Sequence, residues 1–190
     1  MAGDRMFLLV LALVLAVPGT VRAGDVAVPI GLQAELLFAV AGHDRNLSAR
    51  SGGVVRTLIL TKGTDDSARC AAQFKAAAVA RSAVAGLPHS VEVASFTTAS
   101  ALAQACHARR LAIIYLTPGF TGAEVAAIGQ ALEGCNVLTV TASPAMVRRG
   151  AVLGFDLVSG RAKLLVDPIQ AAKQRVAFGA DVLGLMTVPR

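Results

Sequence analysis

The chain has 190 residues, with 18 basic against 12 acidic side chains and a net charge of +6 when histidines are neutral. The basic residues are scattered, only Arg109-Arg110 and Arg148-Arg149 being adjacent, and there is no Trp and one Tyr. A nucleic-acid surface needs clustered charge and interleaved aromatics, so no nucleic-acid partner is expected.

Residues 1–23 carry a charged start (Asp4, Arg5), an apolar run from Met6 to Val17, a Pro18-Gly19 break, and Val21-Arg22-Ala23. This order reads as a secretory signal peptide cleaved near Ala23. The apolar run of 12 residues falls short of the roughly 20 that span a bilayer as a helix. Residues 24–190 follow without a linker and are expected to form one domain.

The first element, Ile30 to about Ala41, spaces Leu32, Leu36, Leu37 and Val40 as one helical face, with Gln33 and Glu35 turned away and Gly42 closing it. Val54 to Thr61 is β-branched between glycine-rich turns and predicts a first strand. Thr64 is placed to cap a second helix, with Asp65 and Asp66 in its first turn, running to about Ala85. His89 to Ser95 alternates as a strand, Thr98 to Arg109 reads as a helix, and Leu111 to Leu116 is an apolar run suited to a strand covered on both faces. Thr121 to Leu132 opens on a capping-box pattern with Gly134 past its end, and Val137 to Thr141 forms the fourth strand.

Pro144 to Arg149 is a short helix stopped by Gly150. Ala151 to Val158 and Arg161 to Asp167, joined by Ser159-Gly160, then predict an antiparallel hairpin. Asp167-Pro168 leads into a polar short helix, and Ala180 to Met186 closes the chain with Val182, Leu183 and Met186 inward. Strands alternating with helices imply α/β: a three-layer sandwich with a mainly parallel, flavodoxin- or Rossmann-like sheet and the C-terminal antiparallel hairpin at one edge.

Little of this carries recognisable chemistry. No GxGxxG or GxxxxGK follows a strand, and Asp65-Asp66 would repel a phosphate at the one candidate helix N-terminus, so no cofactor is expected. There is no GxSxG elbow, and His43, His89 and His107 have no metal spacing, so neither an enzyme nor a metal site is expected. Cys70, Cys106 and Cys135 read either as small apolar residues in the core or, for Cys70 and Cys106, as a disulfide permitted by export.

The strand Leu138–Ser143, then Gly150, the strand-turn-strand VRRGAVLGFDLVSGRAKLLVD and the closing helices resemble the YfiR family of bacterial periplasmic proteins. The segment His43-Asp44-Arg45-Asn46-Leu47 is similar to the one leading into the family's first strand. The resemblance spans most of residues 24–190. It implies a periplasmic α/β protein that restrains a membrane-bound diguanylate cyclase by binding its periplasmic portion, with cyclic di-GMP as the cytoplasmic output and not as this chain's ligand.

Two functional readings follow: a regulator acting through contact with a membrane signalling protein, or a small-ligand module feeding a sensor or transporter. Either would use the loops at the carboxyl ends of the strands, where Lys62, Phe96, Phe120 and Ser143 lie. Arg148 and Arg149 end the short helix beside them, serving a partner or satisfying the helix terminus. Phe120 is open to a core or an exposed role. A homodimer is considered on symmetry with a dimeric membrane partner.

Overall fold

Alternate residues of the central strands feed two separate apolar cores in the computed structural model, which describes residues 27–189. The expected signal peptide lies outside those residues. Strand β1 (Val55–Thr61) sends Val55 and Ile59 to one face and Leu58 and Leu60 to the other. Strand β4 (Ile113–Leu116) divides Ile113 and Tyr115 from Ile114 and Leu116 in the same way. Strands apolar on both faces must be covered on both. Helices α1 (Ile30–Ala41) and α3 (Asp65–Val79) cover the first face with Leu37, Phe38 and Phe74. Helices α4 (Ala99–Arg109) and α5 (Gly122–Ala131) cover the second with Leu102, Val125 and Ile128.

The remaining strands are β2 (Ala83–Val84), β3 (Leu87–Ser95), β5 (Leu138–Thr141), β6 (Leu153–Val158) and β7 (Arg161–Val166). They form one seven-stranded sheet in the order β2-β3-β1-β4-β5-β6-β7. All neighbours from β3 to β6 are parallel, whereas β2 against β3 and β6 against β7 are antiparallel. The parallel part is the flavodoxin-like winding, whose order reverses between β1 and β4. This is the α/β sandwich with a C-terminal edge hairpin that the sequence predicts.

Caps fall where side-chain chemistry puts them. Thr64, Thr98 and Thr121 each accept from a backbone N–H in the first turn of the helix they precede, and Asp167 does so for α6 (Pro168–Lys173). Thr121 and Glu124 complete a capping box. The segment Pro144–Arg149 is a 3-10 helix, and Gly150 behind it packs so tightly on α5 that a Cβ at Gly129 would stand 2.7 Å from the Gly150 carbonyl oxygen.

Other features depart from the sequence reading. Helix α3 stops at Val79, not near Ala85, because Ala83–Val84 pair with Leu87–Pro88 across Ala85-Gly86. Those two residues have φ of 51° and 78°, the pair of positive values a type I′ hairpin needs. Helix α1 is rotated from its predicted face: Leu32 is exposed, while Gln33 is buried, its Nε2 donating to the Val28 carbonyl (2.8 Å) and its Oε1 accepting from the Tyr115 hydroxyl (2.7 Å). A polar side chain is drawn inward because the buried tyrosine needs an acceptor. Helix α7 (Ala180–Leu183) buries Val182, with Met186 beyond it, but leaves Leu183 partly exposed.

The two ends of the domain meet through Asp44. Its Oδ1 accepts from the backbone N–H of Asn46 (3.0 Å) and of Ala177 (2.9 Å), and its carboxylate pairs with Arg50 of α2 (Leu47–Ser51) in a fully enclosed ion pair.

The Cys70–Cys106 bridge does not form. Cys70 packs in the α1/α3 core and Cys106 in the α4/α5 core, so the sheet lies between them. All three thiols are free and buried, as small apolar residues in the core. Burial pushes the Cys106 thiol up to about 12, and raises Cys70 as well.

Candidate functional site

The carboxyl ends of β1 and β4, at the winding reversal, are where folds of this kind receive ligands. Here that crevice is built shut. Lys62, the first residue after β1, donates its backbone N–H to Ser67 Oγ (2.8 Å), and Ser67 Oγ lies 2.6 Å from Thr117 Oγ1, which donates to the Leu60 carbonyl (2.9 Å). This short polar chain lies at the N-terminus of α3, where the Thr64 side chain accepts from the Ser67 N–H and Asp65 and Asp66 occupy the first turn.

The Lys62 side chain bridges the crevice. Its ammonium stands 2.5 Å from Glu124 Oε1 and lies over two aromatic rings, 5.3 Å from the centre of Phe96 and 5.6 Å from that of Phe120. The rings meet edge to face at 5.3 Å, so the cation sits against the π-faces of an aromatic pair. Glu124 also accepts from the Thr121 N–H (2.9 Å). The Lys62 ammonium first, then the Thr121 N–H, hold its carboxyl below the usual range. Three residues singled out separately in the sequence, Lys62, Phe96 and Phe120, thus form one clasp, with Phe120 mostly buried in it. Glu124 was legible only as a capping residue. Its partnership with Lys62 spans 62 positions and left no local signal.

Behind Phe96 a cleft of about 110 Å³ remains, lined in part by Leu60, Phe96, Thr98 and Leu102. Small-molecule sites usually enclose about 300–1,000 Å³, so this cleft is too small for a cofactor. Among the described residues no group of three His, Cys, Asp or Glu side chains is arranged to hold a metal ion.

Arg148 and Arg149 adjoin the clasp. The Arg149 side chain lies across the start of α5, its Cγ, Cδ and Nε 3.5 Å from where a Cβ on Gly122 would stand, an ordinary van der Waals distance. Together with Ala145, Met146, Gly122 and Ala123 the two arginines line an open depression of about 790 Å³. Both are exposed, and neither belongs to an ion pair among the described residues. Ser143 is set apart. Its N–H donates to Thr141 Oγ1 (3.1 Å), and it borders a different depression with Val28, Pro144 and Phe155.

A family model described as YfiR/HmsC-like matches residues 48–186. The chain belongs to this family. No curated protein matches it in sequence. Among solved structures, the YfiR/HmsC-like chain is similar to a conserved domain protein from Vibrio cholerae O1 biovar El Tor, with a TM-score of 0.62 and 14% identity over 88% of this chain and 62% of that one. It is also similar to the ABC domain in complex with L-Trp from Streptococcus pneumonia, with a TM-score of 0.58 and 14% identity over 84% of this chain and 61% of that one. The chain therefore spans about three fifths of each of these two structures. At such identity the likeness establishes the α/β fold alone. No helix among the described residues is long and apolar enough to cross a membrane.

Proposed function

We propose that this chain is a periplasmic regulator that acts by protein contact on a membrane-bound signalling enzyme of the diguanylate cyclase class, and that it has no active site of its own. Membership of the YfiR/HmsC-like family carries the proposal. The strand-end clasp supports it, since Lys62 and Glu124 over two phenylalanines offer a formed surface at the end of β1. Arg148 and Arg149, exposed and without carboxylate partners beside that clasp, supply the cationic part of the contact. They suit a partner face carrying acidic side chains, where unpaired guanidinium forks are used best.

Cellular cyclic di-GMP reads this function directly. Expression of the full chain in a host carrying its cognate membrane cyclase should lower the nucleotide several-fold. A version lacking residues 1–23 should have no effect, because it stays in the wrong compartment. Equal effects from both versions would reject regulation from the periplasm.

A further inference from the structure

A second pocket, of about 330 Å³, lies at the opposite ends of the strands, beside the residues that enter β4 and β5. Arg50, His107, Arg110, Asn136 and Arg175 line it, with the Cys106 and Cys135 thiols in its wall, and no lining residue is acidic. The thiols bring no opposing charge: burial raises both, Cys106 to about 12. Arg50 is fully enclosed and gives one Nη to Asp44, but its Nε and Nη1 have no hydrogen-bond partner. Asn136 Oδ1 is also buried and unpartnered, but it is an acceptor that calls for a donor and lends no support to an anion. Buried polar atoms are ordinarily paired, so the unpartnered guanidinium nitrogens of Arg50, enclosed in the wall of this pocket, point to a missing acceptor.

The backbone supplies an independent sign. Arg110 and Arg175 have φ of 52° and 55°, and each follows the last turn of a helix, α4 and α6, at the slot where the left-handed conformation favours glycine. Two of the four non-glycine residues with positive φ among the described residues are therefore arginines of one pocket. Neither belongs to an ion pair there. Strained conformations persist where a side chain is needed at that spot.

We infer that this pocket is a binding site for a small multivalent oxyanion, a phosphate or a di- or tricarboxylate, held by Arg110 and Arg175 above the buried Arg50. Planar guanidinium forks match the paired oxygens of either group. The site is remote from the clasp and independent of the regulatory reading.

Thermal unfolding in sodium phosphate and in sodium citrate, each against sodium chloride at equal ionic strength, tests it. At a hundredfold excess over Kd at least one oxyanion should raise Tm by roughly 5–10 °C. Arg110→Gly and Arg175→Gly should keep or raise Tm in chloride, because glycine relieves the left-handed backbone, while weakening the fitted oxyanion affinity at least tenfold. Three results would overturn the inference. The oxyanions do no more than chloride; their stabilisation survives in both variants, as expected of salts excluded from any protein surface; or the variants lose several degrees in chloride with oxyanion affinity unchanged, which marks the arginines as helix caps.

Discussion

Replacing Asp44 with Ala should be among the most destabilising single changes in this protein. The Asp44 carboxylate and the Arg50 guanidinium are 1% and 0% exposed. Removing one partner of such a pair leaves an uncompensated buried charge and costs about 3–5 kcal/mol. The same change takes the acceptor from the N–H groups of Asn46 and Ala177, which join residues 44–46 to residue 177 across the domain. Water reaches the half-buried Asn46, so that loss adds only roughly 1–2 kcal/mol. The sum, about 4–7 kcal/mol, compares with total stabilities of about 5–15 kcal/mol and corresponds to a drop in Tm of roughly 8–28 °C. Urea unfolding followed by circular dichroism measures it. The double variant Asp44→Ala/Arg50→Met removes both charges and should recover at least ~1–2 kcal/mol relative to Asp44→Ala alone. A loss of under about 1 kcal/mol in the single variant, or strict additivity in the double, would refute the claim that the pair is mutually dependent.

Other outcomes follow from single groups. Tyr115→Phe strips the hydroxyl from the bond to Gln33 and should cost about 1–3 kcal/mol in urea unfolding, since the buried Gln33 Oε1 loses its donor; an unchanged midpoint would mean the bond is idle. Glu124 titrates below its ordinary 4.5. Its folded value being depressed, the clasp contributes fully above that pH and fades as pH falls through the lowered value, so the Tm difference between wild type and Glu124→Gln should shrink as pH falls below 4.5. A difference constant from neutral to acid pH would sink this. Burial holds His89 below its ordinary 6.5, while its Nε2 lies 2.9 Å from Thr57 Oγ1. Stability should therefore decline as pH falls from 6.5 toward the lowered folded value, and His89→Gln should flatten that slope.

What the sequence reveals here is what local chemistry controls. Thr64, Thr98, Thr121 and Asp167 cap helices because their side chains reach N–H groups two or three residues away. The Ser159-Gly160 hairpin is likewise a two-residue decision, with both φ values positive. Gln33 is misplaced by periodicity because its burial answers a hydroxyl 82 positions on. The Asp44–Arg50 pair is hidden for a related reason, since the Asp44 carboxylate is held by the N–H of Ala177, 133 positions on. Lys62, Phe96 and Phe120 were each legible as strand-end residues, whereas their meeting depends on β3 and β4 flanking β1. Arg110 and Arg175 gave no signal at all, because a left-handed arginine looks like any other in a sequence.

Affinity capture from detergent-solubilised membranes tests the central claim most directly. The tagged protein should recover an integral membrane signalling enzyme through its periplasmic portion. Arg148→Ala/Arg149→Ala should cut that recovery several-fold while shifting stability by no more than about 1 kcal/mol, as surface changes do. Recovery of soluble proteins alone, or undiminished capture by the double variant, would contradict a regulator that works through this arginine-bearing rim.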